Sequence, residues 1–253
     1  MTVRFFALIL ALGIAHGHAE WTLTSSQVLA TPARGLVVRE SRVSDGSAQA
    51  TLTAILFSEK SHSIRVVDSP NPGQTRMAEV FAASEVVAGV NGGYFHDDLR
   101  PVGLVVSNGQ QIHGFEKAKL LSGILTVRPG KTEIVRSAQF EVGKNLREAL
   151  QCGPMLLEDG HAVPGLNSER LARRTVVATD SRGRWALIYL TSVSLADSAR
   201  ILLIPGMLGD WTPATALNLD GGGSSGLWAN ATPTPISRPE FSHVRNYLGV
   251  VPK

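Results

Sequence analysis

The sequence predicts an α+β fold: a single domain of mixed, mostly antiparallel sheets packed with a few short helices. Three observations carry that prediction. Strand-like runs outnumber helical ones along the chain. They follow one another through hairpin-length turns rather than long helical crossovers. No Pro/Gly-rich linker divides the chain beyond its first twenty residues.

The first segment is read separately. Arg4 precedes an apolar run from Phe5 to Ile14, and Gly17-His18-Ala19 supplies small residues at the positions a signal peptidase reads. Residues 1–19 are therefore expected to be a secretory signal cleaved after Ala19, with an uncleaved anchor as the alternative. The run is too short for a comfortable span, and Gly, Pro or charge interrupts every later apolar stretch. The remaining 20–253 chain is expected to be exported, periplasmic or extracellular, with no stable membrane insertion.

The elements follow in order. Gly35–Ser44, Ala50–Phe57 and Ser63–Asp68 alternate or are rich in β-branched residues, so they read as strands. Ser69-Pro70-Asn71-Pro72-Gly73 is a loop by its turn residues. Met77–Ser84 reads as a short helix and Val86–Val90 as a buried strand. Val102–Ser107 runs into Asn108-Gly109, a strong hairpin signal. Gly123–Arg128 and Glu133–Ser137 form a second hairpin around Pro129-Gly130. Asn145–Gln151 is expected to be helical. Met155–Leu157 and Thr175–Thr179 are extended, and Ser181–Arg184 turns the chain into Trp185–Thr191. Ser194-x-x-Asp197 resembles a capping box and opens a helix toward Leu203. Leu217–Leu219, Gly226–Trp228 and Tyr247–Val251 complete the strands.

Charge and cysteine content exclude several functions. A net charge of +3 over 253 residues is too small to imply nucleic acid or an anionic membrane surface. Cys152 is the only cysteine, so no internal disulfide framework exists. It is read as a small buried thiol, with a Cys–His nucleophile as the alternative. An exported chain has little access to cytosolic nucleotides, so no nucleotide cradle and no cofactor is expected. Oligomeric state is not legible.

The most informative stretch is Ala216-Leu217-Asn218-Leu219-Asp220-Gly221-Gly222-Gly223-Ser224-Ser225-Gly226. An apolar strand runs into a carboxylate, three glycines and two hydroxyls. The glycines permit positive φ and close approach of a ligand to amide donors. Asp220 stands where a rigid strand aims a residue from a permissive loop. It is a candidate base or nucleophile, or else a loop cap bonded to the Gly222 and Gly223 amides. Such bonds would lower its pKa. An earlier segment, Ala88-Gly89-Val90-Asn91-Gly92-Gly93, echoes this one, and the two ends can face one another across a cleft.

Asn91 is a candidate side-chain amide for the site, or a turn residue. Tyr94 and Phe95 offer an apolar wall or core packing. His96-Asp97-Asp98 reads as a solvated turn rather than a metal site, because adjacent residues cannot all face one ion; His96 alone remains a candidate donor. Gly222-x-Ser224-x-Gly226 matches a nucleophile elbow only loosely, with His243 and Glu240 as poor triad partners. Arg174 opens the apolar run Thr175-Val176-Val177. It is either an anion-binding guanidinium or part of a solvated trio with Arg170 and Arg173. Arg245-Asn246-Tyr247 either completes the site or decorates an edge.

Five motifs in order then give a resemblance: Val90-Asn91-Gly92-Gly93-Tyr94-Phe95, Pro101–Gly109, Cys152-Gly153-Pro154-Met155-Leu156, Arg173-Arg174-Thr175 and Asn218–Ser225. Together they resemble the phosphodiester glycosidase family (N-acetylglucosamine-1-phosphodiester alpha-N-acetylglucosaminidase-like) over roughly residues 65–251. Cys152 departs from the small apolar residue expected there. The cysteine-rich modules of the animal members are lacking, so no lysosomal tagging role is implied. The resemblance implies a hydrolase that cleaves the glycosidic bond of a sugar-1-phosphodiester, from a cell-envelope or exopolysaccharide sugar. The alternative is a non-catalytic sugar-phosphate or wall-polymer binding protein. The implied catalytic residues are Asp220, Arg174 and Asn91. Gly92, Gly93, Tyr94, His96, Gly153, Gly221, Gly222, Gly223, Ser224 and Asn246 are the implied substrate-binding set, with no metal ligand. A second carboxylate, among Asp97, Asp98, Glu158 and Glu169, stays open.

Overall fold

Among the described residues, eighteen strands and two short α-helices organise the chain. The computed structural model describes residues 20–69, 71–141, 143 and 145–253. The expected signal, residues 1–19, and Pro70 of the expected loop lie outside the described residues. The strands are β1 Thr22–Ala33, β2 Leu36–Ser44, β3 Gln49–Ser58, β4 His62–Asp68, β5 Ala88–Asn91, β6 Val105–Ser107, β7 Gln110–His113, β8 Gly123–Arg128 and β9 Lys131–Arg136. They continue as β10 Glu148–Cys152, β11 Met155–Glu158, β12 His161–Ala162, β13 Ala172–Thr179, β14 Arg184–Val193, β15 Thr215–Asn218, β16 Leu227–Ala229, β17 Ile236–Arg238 and β18 Asn246–Pro252. The helices are α1 Met77–Ala82 and α2 Leu195–Leu202.

Three sheets result, and their strand pairs are antiparallel. One has eight strands in the order β1-β2-β3-β14-β13-β15-β11-β12; the others run β7-β6-β10-β8-β9 and β17-β16-β5-β18-β4. Strand parity divides the large sheet into two apolar faces. Val177, Leu187 and Leu217 join Ile64, Val66, Val90, Leu125, Leu150 and Leu248 in a core shared by all three sheets. Val176, Ala178 and Ile188 face the other way, under Ile201, Leu202 and Trp211. That double burial explains why β13 reads as a continuous apolar run. Helix α1 covers the outer face of the third sheet, where Phe81 packs edge-on against Tyr247 with ring centroids 5.4 Å apart. Among the described residues no helix is long and apolar enough to cross a membrane.

The local signals held where the chemistry was local. Asn108 and Gly109 take φ of 49° and 79° between β6 and β7. This double positive φ suits a two-residue hairpin turn. The Ser194 side chain accepts from the Asp197 amide at 3.0 Å and caps α2. One element is corrected: the helix expected over Asn145–Gln151 is instead β10, fully buried between β6 and β8. Its Ala and Leu favour a helix, but a segment buried on both sides by strands must satisfy its backbone through the ladder. Strand β1 had no counterpart in the sequence reading. It is a largely exposed edge, paired only with β2, and lacks an apolar rhythm.

Candidate active site

Two glycine-bearing strand ends meet directly. The Asp220 amide donates to the Gly92 carbonyl at 3.1 Å. The Asn91 side-chain Nδ2 donates to the Asp220 carbonyl at 2.8 Å. The echo noticed in the sequence is therefore a hydrogen-bonded seam between β5 and the loop after β15, not two lips of a cleft.

Asn91 is fully buried and bonded through both its amide oxygen and its amide nitrogen. Its Oδ1 accepts from Thr175 Oγ1 at 2.6 Å and from the Gly226 amide at 3.1 Å. One side chain thus ties β5, β13, the Asp220 loop and the approach to β16. Asn246 does similar work on the other flank. Its Oδ1 accepts from the Gly93 amide at 2.8 Å, and its backbone carbonyl accepts from the Gly92 amide at 2.8 Å. A β-carbon on Gly92 would collide with the Asn246 side chain, so this position requires glycine. Both asparagines hold the backbone; Asn91 Nδ2 makes one bond, to the Asp220 carbonyl, and the buried Asn246 Nδ2 has no hydrogen-bond partner among the described residues.

Asp220 sits at the seam, partly buried. Its Oδ1 accepts from the Gly221 amide at 2.8 Å, not from Gly222 or Gly223 as expected. Burial pushes its pKa above the ordinary carboxylate value. Hydrogen bonding from Ser224 and Gly221 pulls the other way and loses. The expectation that its loop bonds would lower this pKa is corrected on that ground. No other carboxylate contributes to the shift. Of the four candidates for a second acid, Asp97, Asp98 and Glu169 are exposed, and Glu158 is paired with Arg136.

Arg174 is 7% exposed, at the start of β13. Its Nε donates to the Val193 carbonyl at 3.0 Å and one terminal nitrogen to the Arg170 carbonyl at 2.6 Å. Among the described residues no carboxylate lies within ion-pair distance of it. Its other terminal nitrogen is 3.9 Å from where a Gly221 side chain would begin, which turns it toward the Asp220 loop. Burial, then the neighbouring Arg170 charge, lowers its pKa; Tyr94 opposes. A guanidinium remains cationic through such a shift, so the site holds a nearly buried positive charge with no counterion.

Tyr94 donates its phenol proton to the Gly153 carbonyl at 2.5 Å. Burial, then Cys152 and Asp220, pushes its pKa far up, so the hydroxyl stays protonated. Asn218 reinforces the junction through Nδ2, 2.8 Å from the Gly153 carbonyl. Gly153 has no room for a side chain because the Leu120 carbonyl fills that space. Cys152 is buried and its thiol pKa is driven up by that burial. Phe95 packs toward α1 rather than into the site. His96 lies exposed on the turn after Tyr94.

The glycine loop is open where it matters. Gly222 takes φ +63° with no atom within 4 Å of the position its β-carbon would occupy. The Gly222 and Gly223 amides donate to no protein acceptor among the described residues, while their carbonyls are held by Arg173. Ser224 is buried beside Asp220. Among the described residues no histidine hydrogen-bonds Ser224 or Ser225, and Glu240 is committed to the Met77 amide at 2.8 Å, which leaves the serine-triad alternative without partners there. Arg173, Thr175 and Asn218 escaped the sequence reading as site residues. Asn218 carried a usable signal, a lone amide within an apolar strand.

Clefts lie elsewhere too. One of about 590 Å³, lined by Asp180, Arg184 and Trp211, lies at the far end of β13–β15. Two guanidiniums line it: that of Arg184 is paired, its Nε donating to Asp180 at 2.6 Å, and Arg182 is exposed. Among the described residues the Asp220 region combines a buried cation without a carboxylate partner, a carboxylate of raised pKa and free amides.

The fold has known counterparts. A zebrafish N-acetylglucosamine-1-phosphodiester alpha-N-acetylglucosaminidase catalytic domain, auto-inhibited by its pro-peptide, superposes with TM-score 0.65 at 16% identity. The match covers 95% of this chain and 91% of that one. A hypothetical protein from Synechocystis gives 0.63 at 17% identity, covering 91% of this chain and 64% of the other. An uncharacterized protein of Escherichia coli K12, YigE, is 32% identical over 99 residues, which are 36% of this chain and 39% of YigE. The sequence pattern of the phosphodiester glycosidases matches residues 84–251, from before β5 to within β18. This chain belongs to the phosphodiester glycosidase family.

Proposed function

We propose that the protein is an exported hydrolase that cleaves the glycosidic bond of a sugar-1-phosphodiester in cell-envelope or exopolysaccharide material. The observation that carries the reading is Arg174, a nearly buried cation with no carboxylate within ion-pair distance, turned toward Gly221 of the loop that bears Asp220 and the free Gly222 and Gly223 amides. A phosphodiester supplies the missing negative charge. A planar guanidinium and two amides match its non-bridging oxygens. Asp220, ionised above its raised pKa, accepts a proton from water. The water oxygen bonds to the anomeric carbon as the bond from that carbon to the phosphate oxygen breaks. The phosphate monoester departs as an anion, held by Arg174, so the leaving group needs no strong acid. Asp220 thus serves alone, in keeping with its lack of a carboxylate neighbour. Asn91 and Asn246 position the loop, and Tyr94 and Gly153 form the adjoining wall. The apolar run before Ala19 supports export.

Hydrolysis of a glycosyl phosphodiester in ¹⁸O-water tests the reading. The label is expected at the sugar's anomeric hydroxyl. Label in the phosphate would mean phosphorus–oxygen cleavage and overturn it. Tight binding without product would instead identify the non-catalytic binding protein.

A further inference from the structure

The second arginine of the Arg173-Arg174 pair makes contacts that the reaction above does not use. Arg173 Nε donates to the Gly222 carbonyl at 2.9 Å, and its two terminal nitrogens donate to the Gly223 carbonyl at 3.1 Å and the Pro239 carbonyl at 3.2 Å. The guanidinium carbon lies 3.7 Å from the centroid of the Phe241 ring, whose residue is 74% exposed. The Phe241 and Ser242 amides donate to the same Gly223 carbonyl, at 2.7 and 3.1 Å. Gly223 itself is boxed in, because a β-carbon there would strike Ser242 Oγ.

These contacts fix both peptide carbonyls on one side of the loop. A peptide unit is planar and trans, so its N–H points opposite to its carbonyl. Holding the Gly222 carbonyl orients the Gly223 amide, while the positive φ of Gly222 turns the preceding peptide independently. Left alone, three consecutive glycines would sample many such orientations. A flat fork with several donors spans three carbonyls, whereas an ammonium on a flexible stem cannot. The Phe241 ring shields one face of the fork from water, strengthening its hold.

We propose that Arg173, covered by Phe241, is a positioning residue that pre-orients the Gly223 amide, and through it the glycine loop, as an anion cradle. It acts through the loop and touches no reacting atom. The proposal rests on the reading of the Asp220 region as a phosphodiester site. It predicts a particular kinetic signature. An oriented cradle contributes most where charge builds on the departing phosphate, so its loss lowers kcat more than it raises KM.

The test compares wild type, Arg173→Ala, Arg173→Lys and Phe241→Ala, each checked for cooperative unfolding. Two readouts are taken: turnover of a glycosyl phosphodiester, and peptide-resolved hydrogen exchange with and without inorganic phosphate. Arg173→Ala is expected to lose about 10- to 100-fold in kcat with KM changed less than about threefold. Arg173→Lys should recover little, and Phe241→Ala should show a smaller loss in the same direction. Exchange should quicken within residues 219–226 while the sheets stay protected, and phosphate should slow that segment in wild type alone. Wild-type kcat in folded Arg173→Ala would overturn the proposal. So would exchange that quickens evenly across all three sheets, or phosphate protection equal in wild type and Arg173→Ala. If wild type cleaves no glycosyl phosphodiester, the functional reading falls, and the phosphate-dependent exchange alone decides the role of Arg173.

Discussion

The two ends of the β13–β14–β15 ribbon carry the same residue types in opposite states. At one end Arg184 reaches Asp180 and Asp210, and Asp180 also accepts the Arg182 and Arg184 amides. Burial raises the Asp180 pKa, but those bonds together outweigh it and the net shift is downward. At the other end, roughly 20 Å away at strand rise, Arg174 has no carboxylate within reach. Asp220 is held above its ordinary pKa by burial. One end is satisfied and contributes to stability. The other is left uncompensated, as a site built for an outside ligand must be. A cleft of about 590 Å³ lies at the satisfied end, so unpaired charge rather than volume points to the site at the other end.

Substitution at Asp220 separates the ends most sharply. Asp220→Asn should lower kcat on a glycosyl phosphodiester by about 10²- to 10⁴-fold, the range for loss of a general base. It should not lower the melting temperature at neutral pH. The folded state holds the Asp220 proton more tightly than the unfolded chain, so this contribution to stability is present in acid. It fades as pH rises through the folded pKa. The wild-type rate should climb over that same interval, which lies above the ordinary carboxylate value. A variant that melts well below wild type at neutral pH would mean that the Asp220 charge is compensated after all.

The seam between the strand ends should respond in stability. Asn91→Ala leaves the Thr175 hydroxyl, the Gly226 amide and the Asp220 carbonyl without a partner. A loss of roughly 2–4 kcal/mol is expected in denaturant unfolding. A loss below about 0.5 kcal/mol would show that the loop does not depend on this clamp.

Much of this was legible beforehand, for reasons that differ by residue. Asn108-Gly109 and Ser194-x-x-Asp197 encode their own geometry, so the hairpin and helix start could be read locally. Asp220 was marked by its glycines and Arg174 by an apolar run that ill suits a charge. The seam was not legible. Nothing in Asn91-Gly92-Gly93 announces that Asn91 is spent on the Asp220 carbonyl, since that bond spans 129 positions. The pKa of Asp220 was misjudged for the same reason. Sequence shows nearby amides, whereas burial comes from three sheets converging. Glu148–Cys152 went wrong because two flanking strands, not its own propensity, decide its backbone.

The satisfied end gives the smallest effect, with the opposite pH sign. Asp180→Asn should cost about 1–2 kcal/mol at neutral pH, discounted because Arg184 is partly exposed. That difference should vanish as pH falls through the depressed Asp180 pKa, since the stabilisation exists only while the carboxylate is ionised. Turnover should stay at the wild-type rate. A pH-independent loss would assign the effect to the turn's packing rather than to the charge.

Calorimetric titration of a non-hydrolysable, anionic C-glycosyl phosphonate monoester into folded wild type, Arg174→Ala and Arg184→Ala asks which end receives the anion. Binding should weaken by at least about tenfold in Arg174→Ala and remain at the wild-type level in Arg184→Ala. Unchanged affinity in Arg174→Ala, with loss in Arg184→Ala, would move the site to the other end of the ribbon and contradict the account.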